Sequence, residues 1–172
     1  MAALQEQVLF FSETPIPPAG RASPAIPLLV VDAANVVGVV PDGWWRRRAE
    51  ATELLRDALG PLAEAGFPAG GLPAELRWLA VPPLEVVLVV EGAARRVAPS
   101  ATVRVVGAQG SGDDAIVRLV TEAGAGRPRV VVTADRDLRR RAAGRGVAVL
   151  GPGALPPRSR LPGGQKGRIR PG

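Results

Sequence analysis

Short blocks of consecutive apolar residues recur along the middle of the chain, separated by segments that mix apolar and polar residues. Each block is rich in Val and Leu at successive positions, which is typical of a strand buried on both faces of a parallel sheet. The blocks are Pro27–Asp32, Glu85–Glu91, Ala101–Val106, Arg129–Thr133 and Gly146–Leu150. This pattern predicts a sheet of about five strands.

Helical spacing of apolar residues is found in the segments between these blocks. It predicts helices at Trp44–Leu59, Pro73–Leu79, Asp113–Glu122 and Arg136–Ala143, whereas Gly60–Gly71 reads as a connector rich in Gly and Pro. Strands that alternate with helices are joined by right-handed crossovers, which make the strands parallel. The expected fold class is therefore α/β, with a three-layer α/β/α domain over residues 27–155 around a mostly parallel sheet.

Both ends of the chain differ in composition from this domain. Residues 1–26 are rich in Pro, Ser and Ala, and residues 156–172 in Pro, Gly and Arg, so we expect a flexible leader and a flexible basic tail. No acidic residue occurs after Asp137, whereas nine basic residues follow it. This asymmetry indicates a polyanionic partner such as RNA, or compositional drift in an Arg-rich sequence; both interpretations stay open.

Missing residue types exclude several classes of enzyme. The 172-residue chain contains no His and no Cys, and its single Lys is Lys166 in the tail. Catalysis by a Ser-His-Asp triad or a thiol nucleophile is therefore excluded, and the position of Lys166 in the tail argues against a P-loop lysine. Acid–base or metal chemistry has to use carboxylates, which favour hard cations such as Mg²⁺ or Mn²⁺. We expect no organic cofactor, no membrane span and, without a secretory signal, a cytoplasmic location.

Acidic residues stand where the predicted strands end. Asp32 and Glu91 close the first two strands, Asp113 opens a helix after a Gly-rich turn, and Asp135 and Asp137 follow the fourth strand. The carboxyl ends of parallel strands meet at one edge of a sheet, where ligands bind in open α/β folds. Each acid also has a simpler interpretation, because Asp113 and Asp135 could cap helices and Glu91 could end a strand. Their convergence nevertheless predicts a cation site at this edge.

Four segments carry these acids in order: LLVVDAANVVG, VVLVVEGAARR, GSGDDAIVRLV and VVVTADRDL. Together they resemble the motifs of PIN-like nucleases of the NYN type, and the second segment resembles the YacP-like branch. That branch usually has Asp-Gly or Asp-Ala after its second strand, where this chain has Glu91. The resemblance covers roughly residues 28–155 and places the family's functional positions on Asp32, Asn35, Glu91, Asp113, Asp135 and Asp137.

The resemblance implies a metal-dependent ribonuclease, with endonucleolytic cleavage as the expected mode. Asp32, Asp113 and Asp135 would hold one or two Mg²⁺ or Mn²⁺ ions, and Glu91 and Asp137 would complete the site directly or through water. Asn35 cannot act as a base, but its amide can orient Asp32 or donate to a phosphate oxygen. The expected substrate is RNA, in a possible association with the ribosome.

Basic and aromatic residues open the first long predicted helix close to the same edge. Arg46, Arg47 and Arg48 could clamp the RNA backbone, or they could form a solvated helix face. Trp44 and Trp45 could stack on an unpaired base, but we expect at least one of them to anchor the helix to the core. Thr133 could contact a metal-bound water, but we expect it to be an ordinary strand residue.

Two alternatives compete with the nuclease. The first is a catalytically silent RNA- or ribosome-binding module of the same fold, since a fold does not determine activity. The second is a Toprim-type metal enzyme, because Glu91-Gly92 and Asp135-x-Asp137 resemble the Toprim signature. The Toprim interpretation leaves Asp32, Asn35 and Asp113 unexplained, so we place it well below the others.

Overall fold

The computed structural model describes residues 25–68, 70 and 72–158. The predicted leader, apart from residues 25 and 26, lies outside the described residues. The same holds for the predicted basic tail beyond Arg158. In the part of the chain that the structure describes, no helix has the length and apolar character that a membrane crossing requires.

Five parallel strands form a single central sheet. They are β1 Leu28–Asp32, β2 Glu85–Val90, β3 Val103–Gly107, β4 Arg129–Val132 and β5 Ala148–Leu150. Their order across the sheet is β3-β2-β1-β4-β5, and every neighbouring pair is parallel. The predicted sheet of about five strands is thereby confirmed, and β1 lies at its centre.

The helices pack on both faces of this sheet. They are α1 Ala33–Gly38, α2 Arg48–Ala65, α3 Gly112–Glu122 and α4 Arg136–Ala143. Shorter 3₁₀ turns are formed by Trp44–Arg46, Ala74–Ala80, Gly92–Arg96 and Pro152–Ala154. The predicted three-layer α/β/α architecture is confirmed.

Alternation along the strands divides the core into two halves. In β1, Leu29 and Val31 belong to the cluster that also contains residues of α1 and α2. Leu28 and Val30 belong to the other cluster, which contains residues of α3 and α4. Both faces of β1 are buried, which is why its sequence is apolar at successive positions rather than at every second one.

The first long helix differs from its predicted bounds at both ends. We expected a helix over Trp44–Leu59, but Trp44–Arg46 is a 3₁₀ turn and α2 continues through Pro61 to Ala65. Burial of Leu62 and Ala63 against the sheet offsets the hydrogen bond that a proline removes from a helix interior. The helix ends at Gly66, whose φ of 75° suits a glycine.

A buried ion pair joins the last described residue to the loop after α1. The guanidinium of Arg158 donates to both carboxylate oxygens of Asp42 at 3.0 Å, and both side chains are almost fully buried. Arg158 falls in the segment that we assigned to the tail from its composition. The pair fixes the end of the described chain against the loop that leads into Trp44.

Candidate active site

Asp32 ends the central strand at the carboxyl edge of the sheet and is only 6% exposed. Its Oδ1 accepts from the backbone N–H of Asn35 at 3.2 Å, which makes Asp32 the cap of α1. The Asn35 side-chain amide donates to Asp32 Oδ2 at 2.6 Å. The motif residues Asp32 and Asn35 therefore contact one another, and the amide holds the carboxylate in one orientation.

Thr133 links this carboxylate to the end of β4. Its hydroxyl donates to Asp32 Oδ2 at 2.8 Å and accepts from the backbone N–H of Asp135 at 3.0 Å. Thr133 is fully buried. Our expectation of an ordinary strand residue was wrong, because this hydroxyl bridges the two strand ends that carry Asp32 and Asp135.

Asp135 caps α4, as its simpler interpretation predicted. Its Oδ1 accepts from the backbone N–H of Leu138 at 2.7 Å, which satisfies one of the free donors at the start of the helix. The side chain is half-buried and leaves its second oxygen free of hydrogen bonds to the described residues. Capping and a role at the site are compatible, because a carboxylate has several acceptor positions.

Glu91 extends from the end of β2 to the start of α3. Its Oε2 accepts from the backbone N–H of Gly112 at 3.0 Å. A Cβ at position 112 would lie only 2.9 Å from the same oxygen, so a side chain there would displace the exposed Glu91 carboxylate. The contact holds the first turn of α3, and with it Asp113, beside β2.

The surroundings of Asp113 perturb the titration of its carboxyl group. The pKa of its carboxyl is raised from the ordinary value of 3.8, chiefly because the group is partly buried, and then because of the charges of Asp135 and Asp32. Arg141 opposes the shift, and Glu91 adds the smallest increment. Asp113 makes no hydrogen bond or ion pair with the described part of the chain. The coupling places four of the predicted acids in one electrostatic environment.

Asp137 and Asp114 lie outside this environment. Asp137 is exposed and contacts Arg140 on the same helix, and Asp114 is exposed and pairs with Arg141 at 2.5 Å. Residues two apart on a helix do not face the same side, so the cap position of Asp135 turns Asp137 away from the site. The structure thus places Asp32, Asn35, Glu91, Asp113 and Asp135 at one edge of the sheet, where the other three acids act electrostatically on Asp113, and Asp137 is not among them.

The four acids Asp32, Glu91, Asp113 and Asp135 offer carboxylate oxygens, which are the ligands that hard cations prefer. Among the described residues, however, no three His, Cys, Asp or Glu side chains lie close enough together to hold one metal ion. Asp32 already accepts three hydrogen bonds, while the Asp113 carboxylate accepts none from the described residues. Binding of a cation would therefore require side-chain movement, and Asp113 is the group most free to move.

The predicted RNA-binding arginines lie on the other side of β1 from α3 and α4. Arg46 is exposed, Arg47 pairs with Glu50 at 3.3 Å, and the Arg48 guanidinium lies over the Trp44 ring at 5.4 Å from its centroid. The three residues therefore differ in their contacts and do not form one shared surface through a common partner. Sequence reasoning did not single out the exposed arginines of α4, which follow Asp135 directly and include Arg136 and Arg139.

Comparison with known proteins bears on the fold. Neither a family model nor a curated protein matches the sequence. Among solved structures, Rae1 (YacP) from Bacillus subtilis is similar, with a TM-score of 0.56 at 16% identity, over 75% of this chain and 71% of that one. A point mutant of Rae1 gives a TM-score of 0.52 at 18% identity, over 76% and 72% of the two chains. The chain therefore has a YacP-like three-layer α/β/α fold, as the sequence motifs predicted.

Proposed function

We propose that this protein is a metal-dependent ribonuclease that hydrolyses phosphodiester bonds within RNA. One observation carries the proposal: a buried carboxylate, Asp32, is held by Asn35 and Thr133 at the sheet edge where Asp113 is electrostatically coupled to Asp135 and Glu91. Mutual repulsion of this kind destabilises a site unless a cation or a proton neutralises it. The YacP-like fold supports the same proposal.

The acidic residues of the site would hold the metal ion. Asp32, Asp113, Asp135 and Glu91 would hold Mg²⁺ or Mn²⁺, with Asp137 acting at most through water. When bound, the cation would lower the pKa of a water molecule and neutralise charge on the scissile phosphate.

Uncharged side chains would position the catalytic carboxylates. Asn35 and Thr133 fix Asp32, and the Thr133 hydroxyl also fixes the turn that carries Asp135. Until a cation is present, the raised pKa of Asp113 lets its carboxyl retain a proton more readily than an ordinary Asp. The exposed Arg136 and Arg139 of α4 would contact RNA phosphates beside the site.

The test is cleavage of mixed single-stranded RNAs with Mn²⁺ or Mg²⁺, and with EDTA. Wild type should cleave only with metal, and Asp32→Asn should lose activity by at least about a hundredfold, since charge stabilisation contributes on that scale. Asp57→Asn is the matched control, because Asp57 is an exposed acid on α2 that pairs with Arg56. Failure of every metal to support cleavage would contradict the proposal, as would equal activity of the two Asn variants.

A catalytically silent RNA-binding module is the second candidate. It is favoured by the lack of three closely spaced carboxylates among the described residues and by the exposed arginines of α4. In that case RNA should bind with a strong salt dependence, without cleavage, and Asp32→Asn should not weaken binding. The cleavage assay and a binding assay on the same proteins distinguish the two candidates.

A further inference from the structure

A small cavity lies beside the carboxyl end of β1, on the face of the sheet covered by α1 and α2. Its volume is about 190 Å³, and its lining includes Ala34, Trp44, Arg48, Thr52, Glu91 and Ala94. Pockets for drug-sized ligands have volumes of about 300–1,000 Å³, so this cavity suits a single flat ring system. Of these lining residues, only Glu91 has a role in the function proposed above.

Trp44 contributes an aromatic ring to the lining of the cavity. Trp44 is half-buried, and the Arg48 guanidinium lies over its ring at 5.4 Å from the centroid. A Cβ on Gly38 would lie 3.6 Å from the indole, so the ring rests close to the end of α1. Indole faces and guanidinium planes are the surfaces on which unpaired bases stack.

Besides Arg48, two polar residues line the cavity, Thr52 and Glu91. Thr52 is buried, and its hydroxyl donates to the Arg48 backbone carbonyl at 2.8 Å, which leaves its oxygen able to accept. The exposed carboxylate of Glu91 can accept from an amino or ring N–H group. An apolar slot with a few fixed acceptors is typical of a specific small-ring site.

We propose that this cavity binds one unpaired nucleobase of an RNA strand, stacked on Trp44 and hydrogen-bonded through an N–H donor to Glu91. The proposal rests on the ribonuclease or RNA-binding function above. Two connections link the cavity to the carboxylate edge: Ala34 lies two residues after Asp32, and Glu91 both lines the cavity and contacts the first residue of α3. A strand with its base in the cavity therefore passes directly beside the acids.

The experiment measures binding of a fluorescein-labelled single-stranded RNA by anisotropy in EDTA, so that cleavage plays no part. Trp44→Ala should weaken binding about 5- to 150-fold, as expected for loss of one base–aromatic stack. Ala34→Leu, at an exposed position on the rim, should fill the cavity and weaken binding similarly with the fold intact. Trp45→Ala is the matched control, because Trp45 is 57% exposed and does not line the cavity.

A second RNA, with abasic nucleotides in place of every base, separates stacking from a structural role of Trp44. Wild type should bind the abasic strand more weakly than the normal strand, and Trp44→Ala should lose most of this preference. Equal losses for Trp44→Ala and Trp45→Ala, or an unchanged preference in Trp44→Ala, would overturn the proposal. Competition by a free nucleoside monophosphate as effective as the strand itself would overturn the assignment to RNA.

The binding and cleavage assays together test the base site and the nuclease proposal separately. Cleavage by wild type with equal binding by both Trp variants would overturn the base site alone. Binding that depends on Trp44, without cleavage under any metal, would support the base site and contradict the nuclease. Wild type that binds no RNA would contradict both.

Discussion

Replacing Thr133 with valine tests the network at the centre of the site. The substitution keeps the shape of the side chain and removes its hydroxyl, which donates to Asp32 Oδ2 at 2.8 Å and accepts from the Asp135 N–H at 3.0 Å. Both Thr133 and Asp32 are buried, so water cannot readily replace the lost donor. Asp32 retains its two hydrogen bonds from Asn35.

The size of the effect follows from these contacts. A hydrogen bond to a charged group contributes about 1.5–3 kcal/mol, and a neutral one about 0.5–1.5 kcal/mol. Asp135 is only half-buried, so water can partly satisfy its freed backbone N–H. The loss of this neutral hydrogen bond should therefore cost an amount near the lower end of the second range. We therefore expect Thr133→Val to lower the free energy of unfolding by about 2–4 kcal/mol.

Urea denaturation at neutral pH without metal measures this change, provided that the slope with denaturant is the same in both proteins. Thr52→Val is the matched control: Thr52 is also buried, but its hydroxyl donates to a helix carbonyl, and its removal should cost less than about 1 kcal/mol. A Thr133→Val protein within about 0.5 kcal/mol of wild type, or no less stable than Thr52→Val, would refute the network as we describe it.

Three further predictions concern charges at and away from the site. Because the folded pKa of Asp113 is raised, its stabilising contribution is complete below its ordinary pKa of 3.8 and is lost as the pH rises through the raised value. Without metal, Asp113→Asn should therefore be at least as stable as wild type at pH 7 and should lose that advantage toward pH 4. Urea denaturation at the two pH values measures this difference. Asp114→Asn is the control and should show no such gain, because Asp114 is exposed. Arg158→Ala leaves Asp42 with one buried partner fewer and should lower the free energy of unfolding by about 3–5 kcal/mol, which thermal melts would detect; an unchanged melting temperature would contradict the anchoring role. Deleting residues 159–172 should weaken RNA binding and reduce its dependence on salt while leaving the melting temperature unchanged, and equal binding by the shortened protein would favour compositional drift.

The sheet and the edge at which Asp32 lies were predictable because both depend on patterns along the chain. Runs of apolar residues separated by helix-length segments imply parallel strands, and an acid at the end of such a run is placed at the carboxyl edge. Asp32 and Asn35 fall three residues apart, the spacing of a helix cap and the backbone N–H that it accepts from. Strand alternation places Thr133 on the same side of the sheet as Val131, but it does not show that the Thr133 hydroxyl contacts Asp32.

Other features depend on side-chain direction, which linear spacing does not determine. Asp137 shares a motif with Asp135, but helical rotation takes it to solvent, where Arg140 is closer than the site. The cavity beside Trp44 is assembled from α1, α2 and the turn after β2, so no single segment carries its pattern. The continuation of α2 through Pro61 likewise reflects burial of its last turn, a tertiary effect that overrides local propensity.

The positions of charged residues around the central strands also affect how the chain folds. β1 is synthesised first, but it pairs with β2 and β4, so its apolar run stays unpaired until distant parts of the chain have been made. Unpaired runs of this kind aggregate unless charges flank them. Asp32 closes β1, Glu85 and Glu91 bracket β2, and Arg129 opens β4. We therefore expect the acids proposed for catalysis to limit aggregation as well, so that neutral variants of Asp32 and Glu91 should refold with lower yield as the protein concentration rises.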